Sequence, residues 1–203
     1  MITVFRDRWL WVVDKPAGLA TQDDGADDLV SLLRHQVQYL GVHHRLDQPA
    51  SGLVLFTTHE SANAAIAAGF RDHTIRRTYL AVLDGEHDAP VTWAWKVDGK
   101  NARTHAVPLG RAGGRTAVEL TLETGRKHQI RVHAALAGLP LVGDRRYGGD
   151  SGRAWPRLAL HGARLALDHP FPLADWDGPR TLALEAPLPS DLGPLWERSG
   201  GAG

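Results

Sequence analysis

Between Ile75 and Thr124 the chain passes through four short runs rich in β-branched and apolar residues, Ile75–Leu83, Thr92–Val97, Thr104–Leu109 and Thr116–Thr124. Each is bounded by Gly, Pro or polar residues, the pattern of successive strands. The last alternates cleanly as Val118-Glu119-Leu120-Thr121-Leu122-Glu123, which places one face in a core and the other outside. An antiparallel meander is the natural connection. Around it the element types change. Val4–Val13 is strand-like and stops at Lys15-Pro16-Ala17-Gly18, where Pro and Gly punctuate a loop. Leu29, Leu32, Leu33, Gln36 and Val37 recur at helical spacing, so Asp27–Tyr39 reads as an amphipathic helix. Gly52–Thr58 suits a buried strand, Ser61–Phe70 an Ala-rich helix, and Lys127–Ala137 a helix stopped by Gly138 and Pro140. Two late strands, Arg157–Leu167 and Thr181–Ala186, complete an α+β class with a mixed, mainly antiparallel sheet flanked by helices.

With 203 residues, 43% of them hydrophobic and 23% charged, the chain can bury one core. We expect a single domain over residues 1–198, followed by a loose tail at 199–203. The absence of Cys removes disulfides, thiolate metal sites and cysteine nucleophiles together. Arg6, Asp7 and Arg8 interrupt the first apolar stretch, and no apolar run approaches the ~18 residues of a membrane span. A soluble, cytoplasmic protein is expected. Lys plus Arg and Asp plus Glu both number 23, so a polyanionic partner would have to be held by local clusters. Arg71–Arg77, Arg126–Arg131 and Asp144–Arg146 are such clusters, and each reads equally as a solvated polar face.

The segment His43–Leu53, HHRLDQPASGL, sets a carboxylate between Arg45 and a Pro/Gly turn just ahead of the buried strand. Such a turn would fix Asp47 at the mouth of a sheet, from which its side chain can reach a substrate. Local chemistry alone favours a turn-capping Asp with Arg45 as its surface partner. Four further blocks lie in order: Lys15-Pro16-Ala17-Gly18, Arg77-Thr78-Tyr79-Leu80-Ala81-Val82, the run Thr124–Gly148 (TGRKHQIRVHAALAGLPLVGDRRYG), and Leu160-His161-Gly162-Ala163-Arg164-Leu165 with His169-Pro170. Together with HRLDxxxSGL they resemble the RluA family of pseudouridine synthases, and they cover most of the chain from Asp14 to Pro170. The resemblance is to the catalytic domain, without an S4-type module before the first block.

The resemblance implies a pseudouridine synthase catalytic fold and an enzyme that isomerises selected uridines of an rRNA or tRNA stem-loop. It makes Asp47 the carboxylate that attacks or otherwise activates the nucleoside while the glycosidic bond breaks. Uracil must detach from C1′, rotate and rejoin through C5, so an anionic group and a pocket that retains the free base are both required. Arg131 corresponds to the basic residue that pairs with that carboxylate, and Tyr79 to the tyrosine that stacks on the uracil. Arg45 corresponds to the arginine that enters the stack where the target base has been extruded. Lys15, Arg77, Arg126 and Lys127 are candidate contacts to the RNA backbone. Three positions depart from the pattern: Ala50 stands where Thr is common, Lys127 where Thr or Ser is usual, and Gly162 where Ala is customary.

Eleven His residues invite a metal site, but no HExxH or comparable ligand array is present, and no metal or cofactor is expected. The motif accounts for His44, His128, His133 and His161 as structural or hydrogen-bonding groups. Two other readings remain: a non-catalytic RNA-binding protein, which the intact set Asp47, Tyr79 and Arg131 disfavours, and a metal-dependent hydrolase, which would need an acidic cluster. No obligate protein partner is evident, and a monomer is expected.

Overall fold

The computed structural model describes residues 1–23, 27–170 and 178–202. In chain order its elements are β1 (Ile2–Arg6), β2 (Leu10–Lys15), α1 (Leu29–Arg34), β3 (Gly41–Val42), β4 (Ser51–Thr57), α2 (Asn63–Arg71), β5 (Arg76–Asp84), β6 (Val91–Trp93), β7 (Thr104–Ala112), β8 (Arg115–Leu122), α3 (Gln129–Leu136), β9 (Leu160–Asp168), β10 (Thr181–Glu185) and α4 (Gly193–Arg198). Short 3₁₀ turns lie at Glu60–Ala62 and Gly149–Arg153. The class is α+β with a mainly antiparallel sheet, as the sequence pattern implies. The chain gathers into two compact units, Met1–Arg77 with Gly162–Ala186, and Thr78–His161 with Pro187–Gly203. It therefore passes from one to the other within β5, within β9 and after Ala186.

In the first unit the strand order is β1-β2-β4-β9, with β10 on β9 and β3 on β4. Alternation builds its core. Leu10 and Val12 of β2 share a face with Leu53 and Leu55 of β4, and Leu165 and Leu167 of β9 with Leu182 of β10. Ile66 and, four residues on, Phe70 bring the apolar stripe of α2 onto this cluster. The single strand expected over Val4–Val13 is instead the hairpin β1–β2. Asp7 makes the corner: its Oδ1 accepts from the N–H groups of Trp9 and Leu10 at 2.7 and 2.6 Å, an Asx turn that spacing of apolar residues does not reveal. Its Oδ2 lies 2.7 Å from His169 Nε2, tying the hairpin to the end of β9. The helix expected over Asp27–Tyr39 is shorter. Asp28 caps α1 by accepting from Ser31 N–H, and the Gln36 N–H turns back to Leu33 O to close it.

In the second unit the order is β5-β8-β7-β6, an antiparallel meander. Gly113 and Gly114, with φ of 61° and 74°, form the two-residue turn between β7 and β8, a conformation open to glycine at little cost. The strand expected over Thr92–Val97 pairs only as far as Trp93, because Val97 exchanges both backbone bonds with Lys100 across Asp98-Gly99. The helix α4 has no counterpart in the sequence reading. Its Leu195 and Trp196 pack with Val82, Ala117, Val142, Ala159 and Leu192. The tail expected to be loose from residue 199 is held. Ser199 is fully buried, its O accepts from Ala117 N–H, and Trp196 Nε1 donates to Ala202 O at 2.9 Å. Gly203 lies outside the described residues.

Candidate active site

Asp47 sits half-buried on a tight turn closed by the bond from Ala50 N–H to Asp47 O. What fixes this turn is the Lys15-Pro16-Ala17-Gly18 loop. Lys15 is fully buried, and its ammonium donates to the carbonyls of Pro16, Leu19, Gln48 and Ala50 at 2.9, 2.7, 3.4 and 2.6 Å. Gly18 N–H donates to Gln48 O, and Gln48 Nε2 returns a bond to Gly18 O. On the other side of Asp47, the buried hydroxyl of Thr21 donates to Leu46 O at 2.8 Å and accepts from Leu46 N–H at 3.1 Å. The main chain on both flanks of Asp47 is thus satisfied by side chains of one neighbouring loop. Such anchoring fixes the position of a carboxylate on a segment without regular structure.

The strand that follows is equally constrained. Every residue of β4 is buried, and Gly52, at φ 121°, faces the backbone of Gly162 so closely that a Cβ would lie 2.4 Å from its N and O. His44, half-buried, bonds the main chain of the same strand. Its Nε2 accepts from Leu55 N–H at 2.8 Å. Burial first, then the Arg77 and His43 charges, push its pKa down to about 3, so the ring is neutral at physiological pH.

In the second unit Tyr79 is buried in β5 opposite Leu120 of β8. Arg131, on α3, is also buried and grips Asp144 in a two-point pair, Nε to Oδ2 at 2.9 Å and Nη2 to Oδ1 at 2.8 Å. Burial alone would raise the Asp144 pKa, but Arg131 and the N–H groups of Arg146 and Tyr147 outweigh it and lower it. The Arg131 guanidinium also lies 5.1 Å from the centre of the Tyr147 ring, whose hydroxyl is 3.0 Å from His128 Nδ1. Gln129 anchors the start of α3 by accepting from Thr124 and Arg126 and donating to Arg103 O and Thr104. His133, with its pKa lowered by burial, bridges Thr104 Oγ1 and Trp95 O.

The positions expected to touch RNA divide sharply. Lys15 is no backbone contact, because its ammonium is sealed inside four carbonyls with no exposed surface. Arg77 is half-buried, stacks 5.2 Å over the Phe70 ring, and has a buried Nε without a hydrogen-bond partner among the described residues. Arg45 and Lys127 are exposed and make no hydrogen bond or ion pair among the described residues. Arg126 is exposed with its Nε on Asn101 O. Sequence reasoning missed Thr21 and Asp144. Asp144 stands in a charged cluster and within the Thr124–Gly148 block, but nothing in local spacing links it to a partner thirteen positions earlier. No group of three or more His, Asp or Glu converges as a metal site among the described residues.

The arrangement is that of a pseudouridine synthase catalytic domain. The fold matches the human RNA pseudouridylate synthase domain containing 4, with a TM-score of 0.74 and 22% identity over 97% of this chain and 92% of that one. It also matches the human domain containing 1 protein, with a TM-score of 0.75 and 25% identity over 93% and 83%. The family model for RNA pseudouridylate synthase matches residues 9–136. The chain belongs to that family and is an RNA uridine isomerase. It is 34% identical to the uncharacterized RNA pseudouridine synthase YhcT of Bacillus subtilis, over 93% of this chain and 69% of the relative. It is 35% identical to ribosomal large subunit pseudouridine synthase D of Nitrosomonas europaea, over 95% and 63%. It is also 30% identical to the dual-specificity RNA pseudouridine synthase RluA of Haemophilus ducreyi, over 83% and 87%.

Proposed function

We propose that this enzyme converts specific uridines of a structured rRNA or tRNA stem-loop to pseudouridine, with Asp47 as its catalytic carboxylate. The observation that carries the assignment is the clamping of the Asp47 turn by Lys15 and Thr21, which invests two buried polar side chains in placing one half-buried carboxylate. A relative named for the ribosomal large subunit supports rRNA as a substrate, and one named for dual specificity supports more than one RNA target. In this reading Asp47 activates the nucleoside, the buried Tyr79 ring stacks on uracil, and Arg131 holds negative charge at the reaction centre with its geometry set by Asp144. Arg45, exposed and unengaged among the described residues, fills the vacancy left by the extruded base. Arg126, Lys127 and Arg77 contact the RNA backbone. Because neither compact unit is one continuous stretch of chain, we read residues 1–198 as one catalytic domain, acting as a cytoplasmic monomer without metal or cofactor.

The test is release of tritium from C5 of RNA labelled in its uridines, with chelator present. Wild type releases it, and Asp47→Asn, folded to the same extent, loses turnover by more than about a thousandfold. Near-normal turnover in Asp47→Asn would show that Asp47 is not the catalytic carboxylate.

A further inference from the structure

Past Asp144 the chain forms an open depression of about 850 Å³ in which Arg145, Asp150, Arg153 and Trp155 take part. Arg145 and Arg153 are exposed. Arg145 Nη2 reaches only the carbonyl of Pro156, at 3.4 Å, and Arg153 has no hydrogen bond or ion pair among the described residues. Asp150, the one carboxylate among the described lining residues, pairs with neither. Two guanidinium groups against one carboxylate leave the described lining residues net positive by one, in a protein whose total charge is zero.

The aromatic ring here is fixed. Trp155 is half-buried, packs against the core cluster of Val142, Leu192 and Leu195, and its Nε1 donates to Asp191 O at 3.3 Å. The floor is rigid too. A Cβ on Gly152 would lie 2.8 Å from Asp144 O, so this loop rests on the main chain of the residue that grips Arg131. A pair of uncompensated guanidinium groups beside an anchored indole is the combination that takes a phosphate and stacks its base. The volume is in the range of sites that hold nucleotide-sized ligands.

We propose that this depression is a subsite for a nucleotide of the substrate RNA outside the target uridine: Arg145 and Arg153 bind its phosphates and the Trp155 ring stacks on its base. The proposal rests on the reading of this enzyme as one that acts on structured RNA. It accounts for how a chain with no net charge holds a polyanion close to Arg131.

The full chain is assayed on large-subunit rRNA and on tRNA, each transcribed with uridine tritiated at C5. In Arg145→Gln/Arg153→Gln, KM rises about tenfold with kcat within about twofold of wild type, and the slope of log affinity against log salt falls by about one or two. The Lys pair Arg145→Lys/Arg153→Lys keeps the wild-type slope. Trp155→Ala raises KM about fivefold or more, and Trp155→Phe restores it, because a ring of any kind can stack. Thermal melting establishes that each variant is folded; if the Gln pair is not, the single variants Arg145→Gln and Arg153→Gln carry the measurement. A folded Gln variant with unchanged KM and unchanged salt slope overturns the subsite. Failure of the wild type to release tritium from either RNA overturns the catalytic reading instead, and filter binding of the same transcripts still reads the subsite through the salt slope.

Discussion

His44 is the side chain on which pH acts most directly. In the unfolded chain it titrates near its ordinary 6.5, whereas in the folded protein burial holds it down to about 3. Between those values the unfolded state binds the additional proton, so stability is fully present above pH 6.5 and falls as the pH drops toward 3. The expected loss from this residue is roughly 1.4 kcal/mol per pH unit through that window. Urea unfolding between pH 4 and 7 measures it. His44→Gln keeps an acceptor for the Leu55 N–H and should flatten the pH dependence relative to wild type; identical slopes in the two proteins would remove His44 as the cause. Lys15 makes a different kind of prediction. Lys15→Met removes the donor to four carbonyls and costs roughly 3 kcal/mol, with lower melting temperature and lower turnover. The salt dependence of RNA binding should not change, since Lys15 has no exposed surface. A reduced salt slope with intact stability would return Lys15 to the RNA-contacting set.

Elements whose apolar residues repeat within one segment were legible: β4, β5, β8 and the core of α3 fall where the patterns place them. What local pattern could not show was side-chain chemistry acting at a distance. Asp7 breaks an apolar run into β1 and β2 through two hydrogen bonds, and Asp98-Gly99 curtails the strand after Trp93. The site divides the same way. Asp47, Tyr79 and Arg131 stand in contiguous motifs, whereas the burial of Lys15 depends on carbonyls more than thirty positions away. The α4 segment was missed because Gly193-Pro194 reads as a breaker, although Pro in the first turn of a helix is favourable. Two element-scale outcomes follow from packing. Gly52→Ala must press a Cβ onto the Gly162 backbone and hold an L residue at φ 121°, which should cost about 3 kcal/mol or more and is read by denaturant midpoint. Deleting residues 187–203 strips Leu195 and Trp196 from the cluster around Val82, Ala117 and Val142 and should abolish cooperative melting.

At the scale of the whole molecule, the governing fact is a net charge of zero carried by 23 basic and 23 acidic residues. Two basic groups are already committed inside the protein, Lys15 to carbonyls and Arg131 to Asp144. Exposed basic groups remain, Arg45, Arg126, Lys127, Arg145 and Arg153 among them, but basic and acidic residues balance over the chain. Long-range capture of a polyanion needs a broad basic surface, because each neutralised phosphate adds just under one to the salt slope. With basic and acidic residues in balance, few phosphates should be neutralised at once, and affinity should weaken with salt along a shallow slope of about three or four. Recognition must then come from the shape of a compact stem-loop and from an extruded uridine. Competition binding between a hairpin and an unstructured RNA of equal length, repeated from low to moderate salt, measures both quantities at once. The hairpin should win at every salt concentration. A steep slope on long unstructured RNA, with no preference for the hairpin, would refute the compact-substrate reading while leaving Asp47 to stand or fall on the tritium assay.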